Sequence, residues 1–333
     1  MRIAAFEMEP WECESFESLF EKHDVRFEDG PLTAETAADQ ADAEVISTFI
    51  YSDLSAPVLE RFQNLKLIAT RSTGFDHIDT EYCSEHGIKI ANVPTYGENT
   101  VAEHVFALLL AISHHLIEAA DRTRRGDFSQ KGLCGFDLMG KTLGVIGTGN
   151  IGLHAIRIAK GFGMDVVAFD IKKNEAAARD IRFAYLDMEE VLARGDVITL
   201  HVPGSPKTAG LIGKAQFDAM KDGAVLINTA RGPVVDIRAM LEALASGRLA
   251  AAGLDVLPEE PLIREEAELL RSAFKEKHNM ETLLADHILL RLKNVIITPH
   301  SAFNTKEAVR RILDTTRDNI EFFVAENPQN LVV

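Results

Sequence analysis

The sequence predicts an α/β protein built as two parallel-sheet domains. Three observations carry that expectation. Short apolar, β-branched runs alternate with helical segments, the alternation restarts after Gly140, and 333 residues at 46% hydrophobic content suffice for two cores.

The first series of runs is RIAAF, EVISTF, KLIAT and IKIANV, each followed by a more polar stretch of helix formers. The second is TLGVIG, DVVAFD, DVITLHVP, AVLINTA, LAAAGLDV and NVIITPH, apolar without strict alternation, as strands covered on both faces should be. Between them, ENTVAEHVFALLLAISHHLIEAADRTRR reads as one long helix, with Thr100 and Glu103 at capping-box spacing. Residues 262–292 lack a β-branched run and read as a helical excursion. The last segment, TKEAVRRILDTTRDNIEFFVAE, is an amphipathic helix able to return to the first domain.

A formal net charge of −16 argues against a nucleic-acid partner, because binding a phosphate backbone needs clustered Lys and Arg. No stretch approaches the roughly 20 apolar residues of a membrane span, and no signal-peptide core is visible, so no membrane partner and a cytoplasmic location are expected. Cys13, Cys83 and Cys134 form no CxxC pair, which points to reduced thiols and to no zinc site. His104, His114 and His115 lack a carboxylate in a metal-ligand pattern, so no metal is expected and a packed helix is.

Gly147, Gly149 and Gly152 have GxGxxG spacing between an apolar strand and an Ile- and Ala-rich helix, and Asp170 ends the next strand 18 residues beyond Gly152. The triplet alone also serves ordinary turns. In this setting it is a Rossmann-like fingerprint: the glycines let a pyrophosphate approach the backbone at a helix N-terminus, where free N–H groups favour anions. An acid at Asp170 would bind the adenosine ribose and repel a 2′-phosphate, so NAD is expected over NADP despite Lys172 and Lys173.

Ligands of open parallel sheets bind beyond the carboxyl ends of the strands. Arg231 follows AVLIN, Asp255 follows LAAAGL with Glu260 five residues on, and His300 follows NVIITP, so all fall on one sheet edge with the glycine loop. Arginine offers a planar, permanently charged fork for a carboxylate and can polarise a neighbouring carbonyl. Histidine changes charge near neutral pH and can pass a proton to an alkoxide as hydride arrives, and a hydrogen bond to Glu260 would stabilise its charged form. Singly, each residue also fits a capping or loop role. Together they suit hydride transfer to an α-keto acid.

Through STGFDHIDTEYCSEHGIKIANVPTYGENTVAEH, GFDLMGKTLGVIGTGNIG, HVP, NTARGPVVD, GLDVLPEEP and TPHSAFNT, the chain resembles the D-isomer-specific 2-hydroxyacid dehydrogenases over nearly its whole length, and within them the D-lactate subgroup. The resemblance implies two Rossmann-like/flavodoxin-like domains with a cleft between them: a substrate domain from residues 1–99 and 300–333, an NAD-binding domain from 100–299, and a homodimer. It assigns Arg231, Glu260 and His300 to catalysis. It places Asn150, Ile151, Val202, Pro203, Thr229, Ala230, Arg231 and Asp255 with the three glycines and Asp170 at the cofactor. Backbone N–H groups around Thr73 and Gly74 match a carboxylate cradle, Tyr96 a hydroxyl that helps hold that carboxylate, and Phe303 an aromatic wall that makes the pocket small. Ile50 and Tyr51 in FIYSD have no secure counterpart.

The expected activity is therefore reversible, NADH-dependent reduction of pyruvate or a similar small 2-oxo acid to the D-2-hydroxy acid. Alternatives are a reductase of the same class for glyoxylate, hydroxypyruvate or a branched 2-oxo acid, and an NAD(H)-sensing corepressor of the same fold. The complete set of Arg231, Glu260 and His300 favours an enzyme.

Overall fold

The computed structural model of the protein describes residues 1–75, 77–258 and 288–332. Within it every apolar run quoted above forms a strand, and all strands are parallel to their neighbours. The chain divides into two units, Met1–Gly97 with Asn304–Val333, and Glu98–Phe303.

The first unit contains β1 (Arg2–Ala5), α1 (Glu17–Phe20), β2 (Asp24–Phe27), α2 (Ala34–Asp39), β3 (Val45–Thr48), α3 (Ala56–Leu59), β4 (Leu67–Thr70), α4 (Thr80–Glu85) and β5 (Lys89–Ala91). Its sheet runs β2-β1-β3-β4-β5, so the strand order reverses between β1 and β3. Ile46, Ile68 and Ile90 project from adjacent strands into one core with Phe6, Leu32 and Leu54. Each such fully buried side chain contributes about 2 kcal/mol relative to exposure.

The second unit contains α5 (Glu98–Ser113), α6 (Leu116–Arg124), β6 (Thr142–Ile146), α7 (Asn150–Gly161), β7 (Asp165–Phe169), α8 (Glu175–Ile181), β8 (Ala184–Tyr185), α9 (Met188–Arg194), β9 (Val197–Leu200), α10 (Lys214–Ala219), β10 (Ala224–Asn228), α11 (Ile237–Ser246), β11 (Leu249–Leu254) and β12 (Val295–Ile297). The order β12-β11-β10-β9-β6-β7-β8 reverses between β6 and β9. β10 is buried throughout because alternate side chains enter different cores. Val225 and Ile227 join α5 and α7 on one face, and Leu226 joins α9, α10 and α11 on the other.

The last helix, α12 (Lys306–Val324), belongs to the first unit. Thr305 accepts from the Ala308 amide at its N-terminus, and Val309, Ile312, Leu313, Thr316 and Ile320 form its buried stripe at helical spacing. Among the described residues no single helix is long and apolar enough to cross a membrane.

Three local expectations are corrected. The long helix is two, bent by 62° between Ser113 and Leu116. The Phe136 amide takes the Ser113 carbonyl at 3.0 Å and His115 adopts a left-handed φ of 48°, so the helical ladder cannot continue. Thr100 does not cap: α5 starts at Glu98, and Thr100 is buried in its first turn while Glu103 accepts from Asn99. Strands β2 and β8, both at sheet edges, have no counterpart in the apolar runs. Of the helical excursion expected over 262–292, residues up to 287 lie outside the described residues.

The helix break depends on Gly135, where a Cβ would stand 1.8 Å from the Ser113 carbonyl oxygen. Gly135→Ala is expected to cost about 2 kcal/mol or more, because backbone must move. Gly161→Ala, at a helical site with open space, should be neutral or stabilising by up to about 1 kcal/mol. Denaturant midpoints of the two variants check this, and equal midpoints would refute it.

Candidate active site

At the reversal point of the second sheet, Gly147 follows β6 with a φ of 97°, and a Cβ there would lie 2.5 Å from the His201 carbonyl oxygen. Only glycine lets this turn pass against the end of β9. A Cβ on Gly152 would meet the Gly147 oxygen at 2.2 Å, which packs α7 tightly onto the turn. Gly149 caps α7 without a side-chain hydrogen bond, and a Cβ there would meet nothing within 4 Å. Gly149 and Asn150 are exposed, so this helix N-terminus is open to solvent, a cradle suited to a pyrophosphate. The Asn150 amide group donates to Glu98 at 3.3 Å, and Ile151 packs under the helix.

Asp170 stands at the end of β7. Its carboxylate accepts from the Thr148 amide at 2.6 Å, the Thr148 hydroxyl at 3.1 Å and the Lys172 amide at 2.7 Å, which ties it to the glycine loop. The Tyr185 hydroxyl, 2.7 Å from the Thr148 hydroxyl, completes this corner.

The His201 amide, beyond β9, donates to the Ile146 carbonyl at 2.8 Å, and the imidazole lies 3.0 Å from the Thr199 hydroxyl. Burial pushes the imidazole down to about 4, so it is neutral at ordinary pH. Val202 packs beside Gly147, and Pro203 is exposed at the loop that follows.

Beyond β10, buried Asn228 holds the next turn from both sides: its side chain accepts from the Ala230 amide and donates to the Arg231 carbonyl, each at 3.0 Å. The Thr229 hydroxyl is buried without a hydrogen-bond partner among the described residues, which fits a polar ligand at this turn. Arg231 donates to the Ala230 carbonyl at 2.8 Å, and its stem crosses Gly204, where a Cβ would approach its Cγ to 2.9 Å.

Asp255, beyond β11, is 1% exposed. Its carboxylate accepts from the Thr298 hydroxyl at 2.5 Å and from the Ser301 and Ala302 amides at 2.9 and 2.8 Å. His104 of α5 stands 3.4 Å away. Burial raises the Asp255 carboxyl, but the hydrogen bonds from His104, Thr298, Ala302 and Ser301 outweigh it, and the net result lies below the ordinary aspartate value. The His300 amide donates to both the Asp255 and the Thr298 carbonyls at 2.9 Å, and His300 adopts a left-handed φ of 51°. This conformation is costly for a non-glycine residue and is held by the surrounding bonds.

One edge of the second sheet therefore carries the glycine loop, Asp170, Val202, Thr229, Ala230, Arg231, Asp255 and His300, with half-buried Phe303 at the unit's end. Glu260 lies outside the described residues. Thr73, Gly74 and Tyr96 belong to the first unit. There, the Thr73 hydroxyl donates to the Val93 carbonyl at 2.6 Å, Asn92 donates to the Thr73 carbonyl at 2.8 Å, and Arg311 donates to the Tyr96 carbonyl. These bonds leave the Thr73 and Gly74 amides without a partner among the described residues.

Two residues escaped sequence reasoning. His104 joins the Asp255 network from a helix remote in sequence. Glu7, at the reversal point of the first sheet with a φ of 57°, accepts from the Phe49 and Tyr51 amides and the Ser52 hydroxyl at 2.8, 2.9 and 2.6 Å. Fully buried Arg71 donates to the carbonyls of Phe6 and Glu7 at 2.6 and 2.8 Å. Glu7 carried no local signal, since acidic residues crowd that segment.

Comparison with known proteins gives the family and the fold. The family model described as D-isomer specific 2-hydroxyacid dehydrogenase, NAD binding domain, matches residues 106–302. The D-lactate dehydrogenase of Escherichia coli (strain K12) is 36% identical over 327 residues, covering 96% of each chain. The glycerate dehydrogenase of Methylorubrum extorquens is also 36% identical, over 316 residues, covering 93% of this chain and 92% of that one. The solved structure of D-lactate dehydrogenase from Aquifex aeolicus complexed with NAD and lactic acid superposes with a TM-score of 0.84 at 33% identity, covering 98% of this chain and 96% of that one.

The buried imidazole of His201 sets an acid sensitivity. Its folded value, about 4, lies below the unfolded value near 6.5. As pH falls through this window the unfolded chain gains a proton that the folded one refuses, so stability drops by up to about 3 kcal/mol. Asp255, held below its ordinary value, loses its contribution only below about pH 4. Urea unfolding at pH 7.5 and pH 5 should show the first loss in the wild type and a smaller one in His201→Gln. An identical pH slope in both would remove the assignment to His201.

Proposed function

The chain belongs to the D-isomer-specific 2-hydroxyacid dehydrogenases, NAD-dependent oxidoreductases, and from that premise we propose that it reduces pyruvate or a similarly small 2-oxo acid, reversibly, to the D-2-hydroxy acid. The observation that supports this best is the shared sheet edge, where Arg231 stands with His300 in a strained turn caged by Asp255. In this reading the unit containing both chain ends binds the substrate and the central unit binds NAD.

The glycine loop and the α7 N-terminus hold the pyrophosphate, Asp170 the adenosine ribose, and Val202, Pro203, Thr229, Ala230 and Asp255 the remainder of the cofactor. The negative charge of Asp170 disfavours a 2′-phosphate and so favours NAD over NADP. Bound NADH supplies the hydride. Arg231 binds the substrate carboxylate through its fork and draws electron density from the carbonyl. The Thr73 and Gly74 amides and the Tyr96 hydroxyl hold the same carboxylate. His300 gives its proton to the carbonyl oxygen as the alkoxide forms and recovers it in the reverse direction, with Glu260 stabilising the charged imidazole. Phe303 limits the substrate's side chain.

A relative named for glycerate is as similar as one named for D-lactate, so a hydroxypyruvate-reducing reading stands second. Leu116, Ile117, Phe128 and Met139, between 55% and 79% exposed, support a homodimer, which sedimentation reads directly.

Steady-state NADH oxidation with pyruvate, glyoxylate, hydroxypyruvate and a branched 2-oxo acid should give the highest kcat/KM for pyruvate. A maximum at hydroxypyruvate selects the second reading, and no turnover with any of them sinks both. His300→Ala should lower kcat by about 10²- to 10⁴-fold while NADH still binds. An unchanged kcat would remove the proton-donor role.

A further inference from the structure

We propose that His104 is a positioning residue of this reaction: acting through Thr298 and Asp255, it holds the turn that presents His300. The inference rests on the reading of His300 as the proton donor. His104 projects from α5, 194 residues from Thr298, and its Nε2 lies 3.0 Å from the Thr298 hydroxyl oxygen. That hydroxyl donates its one hydrogen to Asp255 Oδ1 at 2.5 Å, so towards His104 the oxygen acts as acceptor. Nε2 of His104 therefore carries a hydrogen, in the neutral or the charged ring alike. The same Nε2 lies 3.4 Å from Asp255 Oδ1.

At the other end of the chain of bonds, Asp255 grips both flanks of His300. Oδ1 accepts from Thr298 and from the Ser301 amide, Oδ2 from the Ala302 amide, and the Asp255 backbone carbonyl from the His300 amide itself. A left-handed φ of 51° costs a non-glycine residue about 1 kcal/mol or more, so the turn persists only while these bonds over-determine it. A buried carboxylate deprived of a donor is driven towards its neutral form. A neutral Asp255 accepts poorly through one oxygen, and the turn relaxes to a conformation that aims the imidazole elsewhere.

Among the described residues the polar partners of His104 are Thr298 and Asp255, not the glycine loop, which sets the test apart from a loss of cofactor binding. His104→Phe removes the donor and keeps a ring, and His104→Gln restores an N–H near the Nε2 position. Thr298→Val removes the hydroxyl at similar volume, and Thr298→Ser restores it. With all variants confirmed folded by unchanged circular dichroism and melting within a few degrees, His104→Phe and Thr298→Val should each lower kcat about 10- to 100-fold, since small misplacements of a reacting group cost that much. The loss should fall mainly on kcat, with any rise in KM for NADH smaller than the fall in kcat. His104→Gln and Thr298→Ser should recover most of the loss. If one of the replacements fails to fold, the other pair carries the test alone.

The double variant His104→Phe/Thr298→Val should be no worse than the worse single one, because both interrupt a single chain of bonds. Wild-type-like kcat in His104→Phe, losses that multiply in the double variant, or a defect confined to the KM for NADH would each overturn the proposal. Its failure is separable from that of the underlying reading. An active His300→Ala removes the proton donor, whereas an inactive His300→Ala beside an unimpaired His104→Phe removes only the role of His104.

Discussion

Parallel pairing is the constraint on which the molecule depends. Strands that all run one way must all finish at one edge, so each chain exit from the sheet adds a residue to the same border. In the second unit those exits include Gly147, Asp170, His201, Thr229, Asp255 and Thr298, spread over nearly half of the sequence yet brought to one border by topology. The reversal of strand order between β6 and β9 opens the border, and the price of bringing the turn so close to His201 is glycine at 147 and 152. The first unit solves the same problem differently. At its reversal point, between β1 and β3, Glu7 accepts a left-handed φ and its carboxylate collects the donors of the 49–52 loop.

Energetically, the Asp255 cage outweighs the many ion pairs elsewhere. Arg125 with Asp121 and Lys214 with Asp218 are exposed helix pairs, each worth a few tenths of a kcal/mol and screened by salt. Asp255 is shielded from water, so removing one of its donors leaves a buried carboxylate short of one hydrogen bond, a loss of about 1–3 kcal/mol. That difference explains why a non-glycine residue can be kept at a φ of 51° beside it. Strain at His300 is small against the bonds that would be broken by releasing it.

The legible parts of the sequence were those governed by near-neighbour physics. Apolar runs such as AVLIN mark central strands because both faces are covered, and the glycine spacing marks a turn whose demands are local. Edge strands obey a weaker rule: β2 is DVRF, with charged residues facing water, and β8 has only two residues. The break after Ser113 was invisible because its cause, Gly135 and the Phe136 amide, arrives from more than twenty residues away. Thr100 mimicked a cap because capping-box spacing recurs by chance inside helices. His104 looked like a packing residue for the same reason: its partners, Thr298 and Asp255, are brought to it only by the sheet.

The division of labour among the proposed site residues bears on why relatives with different named substrates resemble the chain equally. Arg231 and His300, in the proposed reading, act on the carboxylate and carbonyl that every 2-oxo acid possesses, and they lie in one unit. Discrimination among 2-oxo acids concerns only the atoms beyond the carbonyl, and a methylene more or less in an apolar pocket is worth about 1–3 kcal/mol. A difference of that size needs a few side chains, not a changed fold. Overall identity therefore tracks the shared chemistry and is nearly silent on substrate size, which the proposed reading leaves to Phe303.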